Sequence, residues 1–215
     1  MPYFPMFINI ENKKVIVLGG GRTALRKVNT LLYFNCKIAV IAPRICDELK
    51  QTRRISVHEM NLTLDILDGA DMVVAASSRE DINARIGEYC NSKKIPVNVA
   101  DNPELSSFLF PGIVARDDLI VGVTTGGKSP SISKEIRNMI DRLIPDEYGS
   151  LTRKMAAYRE IVLLNIRNSY YREMALEEIV ASAINHKCII DDRKANKIIE
   201  KYAREDQQLT PRNYR

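Results

Sequence analysis

Three short segments hold residue types at spacings that could do chemistry. Gly19-Gly20-Gly21-Arg22-Thr23-Ala24 satisfies the spacing G-x-G-x-x-A. Gly19 allows a tight turn, Gly21 lets backbone approach a pyrophosphate, and Ala24 permits close helix packing, while the following helix start offers N–H groups and partial positive charge. That is dinucleotide chemistry. Asp101 ends the run PVNVAD. A carboxylate there can accept a proton from a ligand at a sheet edge, yet Asp-Asn-Pro is also an ordinary turn former, and the residues alone leave both readings open. The third segment is Thr124-Thr125-Gly126-Gly127-Lys128-Ser129-Pro130. Ser129 suits an N-cap and Pro130 a first helical position, so the segment reads either as a plain capped helix or as a glycine-lined seat for an anion.

The elements that must position these residues follow from the apolar pattern. Lys14 to Leu18 is a short β-branched run, and beyond the glycines Ala24, Leu25, Val28, Leu31 and Leu32 recur at helical spacing. Strands are expected at Lys37 to Ala42, Ile55 to Glu59, Asp71 to Ala76 and Pro96 to Ala100, with a helix through Asp81 to Tyr89. Near-continuously apolar strands alternating with helices predict a parallel sheet covered on both faces, a Rossmann-type α/β fold. After Asp101 the rhythm changes. Phe108 to Val114 and Leu119 to Thr124, joined by the polar turn Ala115 to Asp118, suit an antiparallel pair. From Ser129 onward the chain is expected to be helical, with a break near Pro145 and frayed residues from Asp206 to Arg215.

Composition narrows the class. The chain has 215 residues, 45% hydrophobic and 27% charged, as in an ordinary globular protein. No apolar run approaches the length of a bilayer span, and MPYFPMF has neither the basic start nor the apolar stretch of a secretory signal, which predicts a cytoplasmic protein with no membrane contact. Cys36, Cys46, Cys90 and Cys188 are scattered without C-x-x-C spacing, so reduced structural thiols are expected. His58 and His186 stand far apart, without neighbouring cysteines or paired carboxylates, and no metal site is predicted. The net charge of +5 is concentrated beyond residue 150, but no basic run interleaves with aromatics, so a nucleic-acid partner is not expected. Lys14, Arg26 and Lys27 read as a solvated face. The acidic residue that would hold an adenine ribose after the second strand is missing, and Ile41-Ala42-Pro43-Arg44 stands there, which leaves NAD and NADP both open.

Taken in order, YFPMF, VIVLGGGRTALRKV, NVADNPELSSFLFPGIV and VGVTTGGKSP resemble the precorrin-2 dehydrogenase and sirohydrochlorin ferrochelatase family, the module that also forms the N-terminal part of siroheme synthases. The resemblance runs from about Tyr3 to Leu143. It implies NAD-dependent oxidation of precorrin-2 to sirohydrochlorin, in some members followed by insertion of ferrous iron, and a homodimer built by the segment after the Rossmann unit. On that pattern Arg22, Thr23, Pro43 and Arg44 carry over with Gly19 and Gly21 as dinucleotide contacts, and Asp101 as the catalytic carboxylate. Thr124, Thr125, Gly126, Gly127 and Ser129 then face the acetate and propionate arms of the tetrapyrrole. Thr125 stands where serine is common in relatives. The expected division is an NAD-binding domain over 1–105, a dimerisation and substrate-binding segment over 106–145, and a helical domain over 146–215. On this length, the methyltransferase domain that some relatives carry is not expected. A dinucleotide sensor or tetrapyrrole carrier without catalysis is the competing class, but a sensor needs neither Asp101 nor the TTGGKSP segment.

Overall fold

A computed structural model describes residues 3–209. Five parallel strands form the first sheet: β1 (Lys14–Leu18), β2 (Lys37–Ala42), β3 (Ile55–Glu59), β4 (Met72–Ala75) and β5 (Val97–Val99), in the order β3-β2-β1-β4-β5. The central strands are apolar on both sides because both faces are covered. Val15 and Val17 turn toward α1 (Arg22–Leu31), where Ala24, Val28 and Leu31 close one core, while Ile16 and Leu18 face Ile86 and Cys90 of α3 (Glu80–Ser92). The short α2 (Asp47–Gln51) buries Leu49 against the α1 side. The Rossmann-type sheet expected from the sequence is thus present, with each strand within one or two residues of its expected place.

The second sheet is the antiparallel pair β6 (Gly112–Arg116) and β7 (Leu119–Val123), followed by the helices α4 (Pro130–Leu143), α5 (Glu147–Asn165), α6 (Ser169–Ile184) and α7 (Asp192–Leu209). Its limits differ from those expected. Phe108 and Phe110 pack on the core of the first sheet instead of pairing with β7, and the hairpin turn shrinks to Asp117 and Asp118, with Asp117 at φ 51°. Asp206 is buried within α7 rather than frayed, and its carboxylate accepts from the backbone N–H of Arg167 at 2.6 Å and of Asn168 at 3.3 Å. Residues 210–215 lie outside the described residues.

The chain divides into two compact units. One runs through Phe110 and includes Thr124–Pro130, and the other holds Pro111–Val123 and the residues from Ser131 onward. The chain therefore passes between units at three places. Within the second unit, the Arg116 guanidinium donates to the carbonyls of Asp141 and Ile144 at 3.0 Å each and pairs with the Asp141 carboxylate at 2.9 Å. A cation on the last carbonyls of α4 complements that helix end, just where Pro145 separates α4 from α5. Helices α5 to α7 share a core of Leu151, Val162, Ile166, Ile179 and Ile198, and the buried Tyr158 donates to Asp192 at 2.6 Å. Burial first, and then this carboxylate, push the Tyr158 hydroxyl up to about 12.

All four cysteines are free thiols. Cys36, Cys90 and Cys188 are buried, and burial pushes Cys90 up to about 11. No helix among the described residues is long and apolar enough to cross a membrane.

Candidate cofactor and substrate site

The glycine turn is fixed by the strands on either side of it. Gly19 donates to the Ile41 carbonyl at 3.0 Å, Ala76 donates to Leu18 at 2.7 Å, and Gly20 accepts from the Cys46 N–H at 2.9 Å. Side chains have no room there. A Cβ on Gly19 would run into the Ala76 carbonyl, and one on Gly20 into that of Arg44, while a Cβ on Gly21 would meet nothing within 4 Å. Gly19 and Gly20 thus serve close backbone approach, and Gly21 keeps open space free. Gly21 is also the N-cap of α1 and supplies no side-chain cap, so the first N–H groups of the helix are left to whatever occupies that space.

That space is a cleft of about 1130 Å³ at the C-terminal ends of β1, β2 and β4. The sequence-derived contacts Gly19, Gly21, Arg22, Thr23, Pro43 and Arg44 all line it. This is the place where open α/β sheets hold ligands, outside the strand ends on either side of the first strand. The donor set fits a dinucleotide: uncapped helix N–H groups, a glycine that leaves room for phosphate, and Arg22 and Arg44 on the rim.

Further lining residues carry no sequence motif. Asn61 and Thr63 follow β3, and Ser77 follows β4. Ser77 is held by Asn83 of α3, whose buried amide accepts from the Ser77 N–H at 3.0 Å and donates to its carbonyl at 2.9 Å. Glu59 secures the other wall, accepting from the Ile45 N–H at 3.2 Å and pairing with Lys50 at 2.9 Å. Only the buried polarity of position 83 distinguishes such residues, and burial is not readable from a chain alone.

Asp101 lies outside that cleft's lining, at the end of the edge strand β5, exposed and in the left-handed region at φ 60°. Asp is one of the residues that tolerates this conformation. The loop beyond it folds back on the strand through a serine pair. Ser106 Oγ accepts from the Val99 N–H and Ser107 Oγ from the Val97 N–H, each at 2.8 Å, and Ser107 N–H donates to the Val97 carbonyl at 2.8 Å. These bonds satisfy an edge that would otherwise present free backbone groups, and they fix where Asp101 stands.

The Thr124–Ser129 loop belongs to the same unit. Gly126 and Gly127 have φ of 64° and 80°, a conformation that side chains rarely adopt. Thr125 Oγ1 accepts from the Ser129 N–H and donates to the Ser129 carbonyl, both at 3.0 Å, which closes the loop at its mouth. Thr124 Oγ1 accepts from the Gly126 N–H at 3.1 Å. A Cβ on Gly127 would lie 3.5 Å from Pro103, and one on Gly126 would lie 3.9 Å from the Tyr3 ring. The structure thereby brings the paired glycines beside the Asp101 loop. Lys14 and Arg26 are exposed as expected, but Lys27 is not a solvated side chain: it is half-buried, with Nζ 4.0 Å from the centroid of the Phe110 ring. Among the described residues no group of three or more His, Cys, Asp or Glu could hold a metal ion.

Known proteins resemble this chain in sequence and in fold. A family model described as "Putative NAD(P)-binding" matches residues 6–112. The siroheme synthase of Thioalkalivibrio sulfidiphilus is 33% identical over 187 residues, 86% of this chain and 38% of that protein. The siroheme synthase of Nitrosomonas europaea is 35% identical over 166 residues, 75% of this chain and 35% of that one. The chain spans little more than a third of the length of these relatives. Among solved structures, "SirC, precorrin-2 dehydrogenase" covers 96% of this chain and 100% of its own with a TM-score of 0.67. At 18% identity that likeness speaks for the fold, and it extends through the hairpin and the C-terminal helices.

Proposed function

Because the chain belongs to the family formed by the N-terminal region of siroheme synthase, with an NAD(P)-binding domain, we propose that it oxidises precorrin-2 to sirohydrochlorin with NAD. The observation that carries this reading is the adjacency of Asp101's loop and the paired glycines, in the unit that also forms the cleft. A bound nicotinamide supplies the hydride acceptor for such an oxidation. The chain's own part is to hold the pyrophosphate on the α1 N–H groups and to align the reacting carbon. Asp101 takes the proton released from the neighbouring position of the macrocycle, directly or through water. The Gly127 N–H, with Thr124 and Ser129 around it, receives a carboxylate arm of the substrate.

The same carboxylate serves insertion of ferrous iron in this reading, with the metal held by the macrocycle nitrogens. The enzyme works in the cytoplasm as a homodimer through the 106–145 segment. This rests on the half-exposed hairpin and on Ile132, Ile136, Met139 and Leu143, which lie exposed along α4. A two-stranded hairpin is marginal by itself, so its apolar side calls for cover.

The test is anaerobic incubation of the protein with precorrin-2 and NAD, followed by ferrous or cobaltous ion, with absorbance recording each step. Conversion to the sirohydrochlorin spectrum that depends on NAD is expected. No conversion with either NAD or NADP overturns the reading, and a kcat/KM at least tenfold higher with NADP, about 1.4 kcal/mol, overturns the choice of cofactor.

A further inference from the structure

Lys27 lies on α1, one turn beyond Thr23, and its side chain runs along the protein instead of out into water. Its ammonium faces Phe110, which forms an aromatic pair with Phe108 at 5.6 Å between centroids. These rings end the stretch that returns from Asp101, and they are anchored there because Asn98 donates from Nδ2 to the Phe108 carbonyl at 3.0 Å. The ammonium is therefore held over Phe110 by α1, the helix that also begins at the glycine turn.

The charges acting on Lys27 are Arg26 on its own helix and Asp101 from the loop after β5. Burial, and then Arg26, bring its pKa down to about 8, with Asp101 pulling the other way. No carboxylate among the described residues forms an ion pair with it. The Phe110 face attracts the cation, yet a methionine or leucine would cover that ring without the desolvation that a cation suffers there, so packing alone does not explain the charge. Proton transfer does not explain it well either. At pH 7 a group of pKa about 8 is about nine-tenths protonated, which makes it a poor base. It is, however, a good donor to an anion, with three N–H bonds to give.

We infer that Lys27 is the anchor for one carboxylate arm of the tetrapyrrole, binding it beside Asp101. The inference rests on the proposed substrate, whose acetate and propionate arms are the anions available. It adds a second carboxylate contact to the one at the paired glycines, so two arms of the ring are located and Asp101 meets a defined position of the macrocycle.

The test uses the full chain, with sirohydrochlorin as probe and its absorbance or fluorescence as readout. Lys27→Met keeps the apolar stem on Phe110, and Lys27→Arg keeps the charge. At pH 7 the Met variant is expected to bind sirohydrochlorin at least tenfold more weakly, and the Arg variant within threefold of the wild type, while both bind NAD within twofold of the wild type. Between pH 7 and 9 the probe's carboxylates stay ionised and Lys27 loses its proton, so wild-type binding weakens and the Met variant stays flat. A purely structural lysine would not produce that slope. Met-variant binding within twofold of the wild type, or no weakening of the wild type over this range, overturns the anchor; the second measurement needs no variant to fold. Turnover of precorrin-2 with NAD separates the two claims. Wild-type protein that binds the probe with the expected slope but does not oxidise precorrin-2 breaks the proposed reaction and supports the anchor. Wild-type protein that oxidises precorrin-2 but shows no loss on Lys27→Met breaks the anchor alone. Failure of the wild type to bind sirohydrochlorin breaks both.

Discussion

The sheet of the first unit and the hairpin and α4 of the second place their apolar residues in opposite ways. In the first, β4 and β5 are buried at every position and β1 at every position but its first, and what stays open is a cleft walled by glycines, arginines and short polar side chains together with apolar ones such as Ile41, Leu62 and Ile82. In the second, β6 and β7 bury one residue between them, and α4 buries none, exposing Met139 by 56% and Leu143 by 78%. The first sheet is covered on both faces and leaves room for a small molecule at its strand ends. The hairpin and α4 leave apolar surface of the kind that another protein surface covers. Damage should therefore appear as lost chemistry in one unit and as altered assembly in the other.

The largest effect expected is on turnover. Asp101→Ala should lower precorrin-2 oxidation by about 10²- to 10⁴-fold, with the NAD dissociation constant unchanged and the urea midpoint slightly lowered, because alanine tolerates the left-handed backbone there less well than aspartate. A rate within about twofold of the wild type, short of any acid–base contribution, would reduce Asp101 to a turn residue. Next come two glycines one residue apart. Gly21→Val should abolish NAD binding, measured by calorimetry, and leave the fold intact, because a side chain there enters only the cleft. Gly20→Val should do the reverse, costing about 3 kcal/mol or more of stability in urea, since its Cβ would overlap the Arg44 carbonyl. Equal destabilisation by both would break the division between a structural and a ligand-facing glycine.

In the second unit, Met139→Glu combined with Leu143→Glu should halve the mass seen by light scattering at micromolar concentration, from a dimer to the 24.4 kDa chain, with little change in helix content. A wild-type mass already at the monomer value sinks the proposed interface. The smallest effect sharpens the comparison from inside the first unit. The folded-state pKa of Lys27, about 8, lies below its ordinary 10.5. Its charged form is thus disfavoured by folding, and this cost is full below pH 8, fades between 8 and 10.5, and is gone above. Lys27→Met should accordingly stabilise the protein at pH 7 by about 1 kcal/mol, allowing for solvent screening of a partly exposed group, and the gain should vanish above about pH 10.5. A gain that persists at high pH would mean better packing, not relief of a desolvated charge.

Much of the first unit was legible because parallel strands covered on both faces leave an unmistakable apolar run, and because the glycine spacing sits between a strand and a helix. Gly19 and Gly21, expected from their spacing, converge on one cleft with Arg22, Thr23, Pro43 and Arg44, which the family resemblance implied. Less visible were residues whose meaning depends on a distant partner. Ser106 and Ser107 carry no period, yet they close the edge of β5. Asn83 looks like any polar residue of an amphipathic helix until Ser77 is found between its amide atoms. Phe108 to Phe110 looked like the start of a strand because a hydrophobic run states that it is buried but not against what. The solvated face expected at Lys27 fails for the complementary reason: a lysine on a helix usually faces water, and only the position of Phe110 shows otherwise.

The three passages of the chain between units bear on how such a protein can be inherited. Exchanging everything up to Phe110 for another dinucleotide-binding domain would leave Thr124–Pro130 behind as the old donor's loop, with Gly127 seated against a proline that the newcomer need not have. A crossover at the obvious boundary therefore separates the paired glycines from the Asp101 loop that they adjoin. Shuffling can move this unit as a working cassette only when the crossover falls after Pro130 and carries the hairpin along with it.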